Sequence, residues 1–179
     1  KGVLAEYVSD DMKKWEHAGV FMTMMWDRFY ECPDLFKMGD WWYLVYSEMH
    51  SALRKVQYFK GKTLDELKAC TANDAGIWPD YREGFLDGRG FYAGKTASDG
   101  TDRYIWGWNA YRPGSVNTEA YDWGGNLVAH KLVQNEDGTL NCVPVPAVAE
   151  KFAGKNVQVE MKASSEEGVT FDNSSADGA

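Results

Sequence analysis

The sequence is poor in the residues that mark metal, redox and nucleic-acid proteins. It holds only three cysteines and three histidines in 179 residues. Cys32, Cys70 and Cys142 lie far apart, with no paired spacing, and His17, His50 and His130 show no metal-ligand spacing. No zinc site or redox pair is readable at these spacings. An odd count leaves room for one disulfide with a thiol over, but three buried free thiols are the simpler expectation. Lys and Arg total 19 against 27 Asp and Glu, a net charge of -8. A phosphate-backbone binder carries basic clusters, so no nucleic-acid partner is expected. A neutral, hydroxyl-rich ligand is not excluded. No apolar run approaches the ~20 residues of a membrane span. No leader peptide is visible, and nothing in the sequence marks an oligomeric state.

Aromatic residues, in contrast, are abundant: eight Trp, ten Tyr and eight Phe, 15% of the chain. Flat side chains with one polar tip suit β-sheet faces and also stack on sugar rings. In an acidic chain the sugar is the better match of the possible stacking ligands. For any single aromatic, core packing in a sheet is the commoner role.

The pattern along the chain is β throughout. Val3 to Ser9 reads as a strand, with a turn at Ser9-Asp10-Asp11 and a second extended piece from Met12. Asp34 to Lys37 and Trp41 to Glu48 flank Met38-Gly39-Asp40, a tight hairpin turn. Trp41 to Tyr46 is apolar at successive positions, which predicts a strand buried on both faces. Leu53 to Phe59 alternates. Thr63-Leu64-Asp65-Glu66 has capping-box spacing and predicts one helical turn. Phe91 to Thr96 and Tyr104 to Tyr111 form a hairpin, as do Asn126 to Val133 and Thr139 to Val143 around Asp137-Gly138. Short hairpin strands with almost no other helix mean an all-β sandwich, barrel or propeller. The strand cores are compatible with blades of roughly 40–50 residues. We divide the chain into residues 1–150, the strand-rich part, and 151–179, where Lys155 to Lys162 alternates once more before a small, polar, loosely ordered tail.

One segment carries candidate chemistry. Trp26-Asp27-Arg28-Phe29-Tyr30 leads into Glu31-Cys32-Pro33-Asp34-Leu35-Phe36. Pro33 cannot donate to a ladder, so it belongs at a strand start or edge, and Glu31 falls at a strand entrance. Aromatics around a carboxylate make a partly dry pocket that favours holding a proton, as a glycosidase general acid must. The plainer reading is a solvated Glu beside a Cys-Pro turn.

The same segment resembles the Glu-Cys motif of glycoside hydrolase family 32, the β-fructosidases. Other segments match that family in order. Tyr7 to Trp15 resembles the strand before the motif. Phe91-Tyr92-Ala93-Gly94-Lys95-Thr96 is similar to its Phe-Tyr-Ala-x-Lys-Thr strand, and Arg103 to Trp108 to its Trp-Gly-Trp strand. Trp123-Gly124-Gly125-Asn126-Leu127 and His130-Lys131-Leu132 resemble its Trp-Gly-Gly segment. The resemblance implies the later blades of a five-bladed β-propeller over residues 1–150, followed by the start of a β-sandwich or a linker. It implies a retaining hydrolase of fructose-containing oligo- or polysaccharides, without cofactor, in which Glu31 is the acid/base. The family's Asn-Asp-Pro nucleophile motif and its Arg-Asp-Pro motif are not in these residues, so a fragment of the catalytic domain, inactive alone, is expected.

The resemblance also implies that Asp87, ahead of Phe91, lines the sugar site, with Arg89 supplying donors. An ordinary Asp-Gly turn is the equal alternative. Here Asp87-Gly88-Arg89-Gly90 and Ala129-His130-Lys131 depart from the family pattern, which leaves the substrate open. Trp26 and Trp106 are further substrate-binding candidates. Trp106 and Trp108 share one strand face, either as a sugar platform or as packing between blades. Two other functions stay open: an inverting family 43 type hydrolase of xylan or arabinan, and a carbohydrate-binding propeller without catalysis. Export is inferred from the class alone.

Overall fold

Met38 and Trp41 pair across a tight turn in which Gly39 takes φ 55, the left-handed conformation that short hairpins demand. Two later hairpins use glycines in the same region, Gly100 at φ 98 and Gly138 at φ 79. The computed structural model describes residues 2–23, 30–48, 55–71, 83–88, 90–111, 124–154, 161–164 and 168–171. Its strands are β1 (Val3–Val8), β2 (Glu16–Thr23), β3 (Glu31–Met38), β4 (Trp41–Glu48), β5 (Lys55–Gly61), β6 (Glu83–Leu86), β7 (Phe91–Ser98), β8 (Arg103–Ala110), β9 (Gly125–Gln134), β10 (Leu140–Pro144), β11 (Met161–Ser164) and β12 (Gly168–Phe171). Strands β3 to β6 form one four-stranded antiparallel meander, and β7 to β10 form a second. Strands β1 and β2 pair in a two-stranded ribbon with two register shifts.

Among the described residues, helix is short wherever it occurs. Helix α1 (Leu64–Lys68) starts as its capping box predicts: Thr63 Oγ1 accepts the Glu66 N–H at 3.1 Å. Glu66 reaches back, but to the N–H of Lys62, at 2.7 Å. The chain divides into compact units at Val145/Pro146. The second unit holds α2 (Pro146–Phe152) and the β11–β12 hairpin. Helix α2 is a short addition to a chain that is otherwise strands, as the all-β expectation has it. Pro146 occupies the first helical position, where its fixed φ suits the helix and its missing N–H costs nothing. Most of the strand expected from Lys155 lies outside the described residues. All three cysteines are free, but only Cys70 is buried; Cys32 and Cys142 are partly exposed.

Strand β4 is buried on both faces, as its apolar run predicts. Tyr43 and Val45 turn to one side and join Phe36, Val56, Tyr58 and Leu86 of their own meander against Phe91, Ile105, Leu132 and Leu140 of the next. Leu44 and Tyr46 turn to the other side, with Phe59, Tyr30, Phe21, Met22 and the α1 residue Leu67. The first of these cores is the seam between the two meanders. Its tight fit is visible at Gly94 of β7, where a Cβ would stand 3.0 Å from Val56 of the first meander.

The seam is also hydrogen-bonded. The buried Tyr43 Oη donates to Gly138 O at 2.7 Å and accepts from Gln134 Nε2 at 2.6 Å. Tyr58 Oη accepts the Leu140 N–H at 2.9 Å. Burial pushes the Tyr43 phenol up to about 12 from an ordinary 10, and it raises Tyr58 as well. A folded-state value above the unfolded one contributes stability that is present below pH ~10 and lost as pH rises through about 12. Denaturant titrations of the intact protein are therefore expected to show stability falling between about pH 10 and pH 12. Tyr43→Phe is expected to cost about 1–3 kcal/mol at neutral pH, by stranding Gly138 O and the Gln134 amide, and to flatten that alkaline fall. An unchanged midpoint at neutral pH would contradict the assigned network.

Candidate active site

The first strand of each meander starts with the same irregularity. In β3, Glu31 pairs with Ser47 and Asp34 with Val45, so Cys32 and Pro33 together oppose one residue of β4. In β7, Tyr92 pairs with Trp108 and Lys95 with Trp106, so Ala93 and Gly94 oppose Gly107. Each is a β-bulge whose first extra residue lies in the left-handed region, Cys32 at φ 51 and Ala93 at φ 54. Neither is glycine, so both positions hold backbone strain, on the order of 1–3 kcal/mol each.

The bulges decide where side chains point. Strand alternation would send Glu31 and Asp34, three residues apart, to opposite faces. The extra residue in β3 returns both to the face turned toward the second meander. In β7 the shift puts Tyr92 and Lys95 on one face with Trp108 and Trp106, and from this edge strand both still reach β3. Tyr92 Oη donates to Glu31 Oε2 at 2.5 Å, and Lys95 Nζ donates to Pro33 O at 2.7 Å. Asp34 Oδ2 accepts the Thr96 N–H at 2.7 Å. Both β3 and β7 are edge strands of their sheets, so these bonds satisfy edge groups that the ladders leave open.

Glu31 is half-buried and Tyr92 is buried. Among the described residues, Tyr92 holds one oxygen of Glu31 and nothing is bonded to the other. A carboxylate fixed by one phenol, with its second oxygen available, can pass a proton to or from a bound molecule.

The other predicted residues lie elsewhere. The register across the first meander runs Glu31, Ser47, Val56, Leu86, so Asp87 emerges at the same end of the sheet as Glu31 but at its opposite edge. Three strand spacings of ~4.8 Å put the two on the order of 14 Å apart. Asp87 meets His130 instead, with Oδ2 at 2.7 Å from Nε2. Trp106 lies in the middle of β8, exposed, with its ring 5.9 Å from that of Tyr104. Its neighbour Ile105 is buried in the seam, so Trp106 and Trp108 share the face turned away from the first meander. Trp26 and Arg89 lie outside the described residues. Among the described residues no group of His, Cys, Asp and Glu is placed to hold a metal ion.

Sequence reading missed Tyr92, Asp34 and His130 as members of these contacts. Tyr92 sits in a recognised strand segment, but no single-sequence signal pairs it with Glu31. A left-handed Cys or Ala has none either.

Residues 1–144 match the family model described as glycosyl hydrolases family 32 N-terminal domain. The chain belongs to glycosyl hydrolase family 32. It is similar to a sucrose-6-phosphate hydrolase of Vibrio alginolyticus, 28% identical over 81% of this chain and 31% of that protein. The chain thus spans about a third of that curated relative's length. Two solved structures of family 32 members share the fold. One, from Bifidobacterium adolescentis, has a TM-score of 0.59 at 21% identity, covering 90% of this chain and 26% of that one. The other, a beta-fructofuranosidase from Bombyx mori, has a TM-score of 0.62 at 19% identity, covering 88% of this chain and 34% of that one. The two meanders are therefore blades of a β-propeller, and the chain is a portion of one. The blades begin at Glu31 and Phe91, a longer step than the roughly 40–50 residues expected.

In this family member the bulge residue offers a direct check. Cys32→Gly removes the steric penalty at φ 51 and is expected to leave stability within about 1 kcal/mol of the parent. Cys32→Val places a β-branched side chain in the same conformation and is expected to cost about 1–3 kcal/mol. Denaturant midpoints in the intact protein separate the two. Equal midpoints would mean that the left-handed bulge is absent.

Proposed function

We propose that the intact protein is a retaining glycoside hydrolase acting on fructose-containing sugars, with Glu31 as its acid/base. The observation that carries this reading is the placement of Glu31. A strained bulge turns it to the seam, and Tyr92 anchors one oxygen while the other has no partner among the described residues. Such strain persists where the surroundings over-determine a geometry, and it clusters at functional sites. The relatives add the substrate class, since one is named a sucrose-6-phosphate hydrolase and another a beta-fructofuranosidase.

In this proposal Glu31 gives its proton to the leaving oxygen as the fructosyl bond breaks. The same carboxylate then takes a proton from the water that releases the sugar. The Tyr92 O–H stays on Oε2 throughout, which orients the working oxygen. The covalent step needs a second carboxylate ~5–5.5 Å from Glu31, as in retaining enzymes. Its Asn-Asp-Pro motif is not among these 179 residues, so the nucleophile is proposed to come from outside them.

The test is fructose release by the intact protein from sucrose, inulin and levan. Glu31→Gln keeps the shape and removes the transferable proton, so kcat is expected to fall roughly 10²–10⁴-fold. Added azide should restore turnover on substrates whose leaving group needs no protonation, by replacing the water that Glu31 would have activated. Full activity of Glu31→Gln on sucrose would refute the assignment.

A further inference from the structure

The connection from β6 to β7 carries the chain from the outer edge of one blade to the first strand of the next, and its two ends meet on one side chain. Asp87 stands at φ 61, a left-handed position again held by a residue other than glycine. Its carboxylate is engaged on both oxygens: Oδ1 accepts the Gly88 N–H at 2.6 Å, and Oδ2 lies 2.7 Å from His130 Nε2. At the far end the Phe91 N–H closes the turn on Gly88 O at 3.2 Å, and the Phe91 ring packs on the His130 imidazole with centroids 5.2 Å apart. His130 thus holds the start of the connection by a hydrogen bond and its end by ring contact. The residue after Phe91 is Tyr92, the partner of Glu31.

From this geometry we infer that the Asp87–His130 pair is a positioning device, which fixes the β6–β7 connection so that Tyr92 is delivered to Glu31. Asp87 acts through Tyr92 and not on the sugar. This rests on the assignment of Glu31 as acid/base. It separates Asp87 from the substrate-lining role that the family resemblance implies, and it gives His130 a role. Misplacing an orienting group by about an ångström costs on the order of 10²-fold in rate. The effect should appear in kcat, because a misaligned proton donor spoils the chemical step without removing a contact to the bound sugar.

The experiment uses the intact protein with sucrose as substrate. Asp87→Ala and His130→Ala are each expected to lower kcat roughly 10–100-fold with little change in KM. Asp87→Asn and His130→Gln each keep a polar atom for the bond and should retain most of the activity. Tyr92→Phe should lower kcat in the parent but add little in the Asp87→Ala background, because Tyr92 is already displaced there. The inference is overturned if Tyr92→Phe costs the same in both backgrounds. It is also overturned if Asp87→Asn loses as much as Asp87→Ala with the loss in KM, which would put Asp87 on the sugar. Should Asp87→Ala not accumulate folded, His130→Ala carries the same comparison with Tyr92→Phe. Loss of activity in Glu31→Gln with an uncoupled Tyr92 would sink this inference alone. An active Glu31→Gln would sink the functional reading beneath it.

Discussion

A strand buried on both faces obliges its sheet to have a neighbour on each side, and β4 imposes that condition here. Tyr43, Leu44, Val45 and Tyr46 are all buried, on alternating sides. Each such side chain contributes roughly 1.5–3 kcal/mol only while it stays covered. The second blade covers one side through Phe91, Ile105, Leu132 and Leu140. Phe21, Met22 and α1 help to cover the other. Stacking of blades is therefore not an addition to a stable sheet but the condition for one. It also explains why phenols cross the seam. Tyr43 and Tyr58 bury large apolar rings and still place their Oη atoms on polar partners of the facing blade.

Face-to-face stacking leaves sheet edges open, among them those of β3 and β7. An exposed edge invites pairing with another chain. Three features close these edges. Pro33 has no N–H to offer, its carbonyl is taken by Lys95, and the Thr96 N–H is taken by Asp34. The lacing runs between blades, so the same bonds that quiet the edges also fix the relative position of the two first strands. A carboxylate placed on one of them can then be aligned with a phenol on the other to within hydrogen-bonding tolerance.

The sequence was most legible where periodicity and turn chemistry act locally. Gly39-Asp40, Ser98 to Thr101 and Asp137-Gly138 mark hairpins because their residues suit the backbone the turns require, and the apolar run at 41–46 marks two-sided burial. The Thr63 cap is equally local. Helix α2 was missed although Pro146 is a good first helical residue, because seven residues give too little periodicity to read. The candidate site was only half legible. Glu31 stands out by its neighbours, but its partner Tyr92 lies 61 positions away. Bulges at Cys32 and Ala93 leave no trace in residue type. The expected site partners Asp87 and Trp106 show the limit from the other side. Both lie near recognisable segments, and only the strand register shows that one emerges at the far edge of the sheet and the other faces away from the seam.

The repetition of the bulge bears on how its strain should be weighed. Cys32 and Ala93 occupy equivalent positions in two blades, each just after the residue that reaches across the seam. A device present in both blades belongs to the scaffold, so strain alone does not distinguish a catalytic strand from a structural one. What differs is the residue ahead of each bulge, a carboxylate in β3 and a phenol in β7. The scaffold supplies the same turn of the backbone twice, and the two side chains it delivers are chemically complementary. The proposed proton transfer therefore rests on the pairing of Glu31 with Tyr92 and not on either bulge. Any change that keeps both bulges but uncouples the pair should leave a folded blade with impaired chemistry.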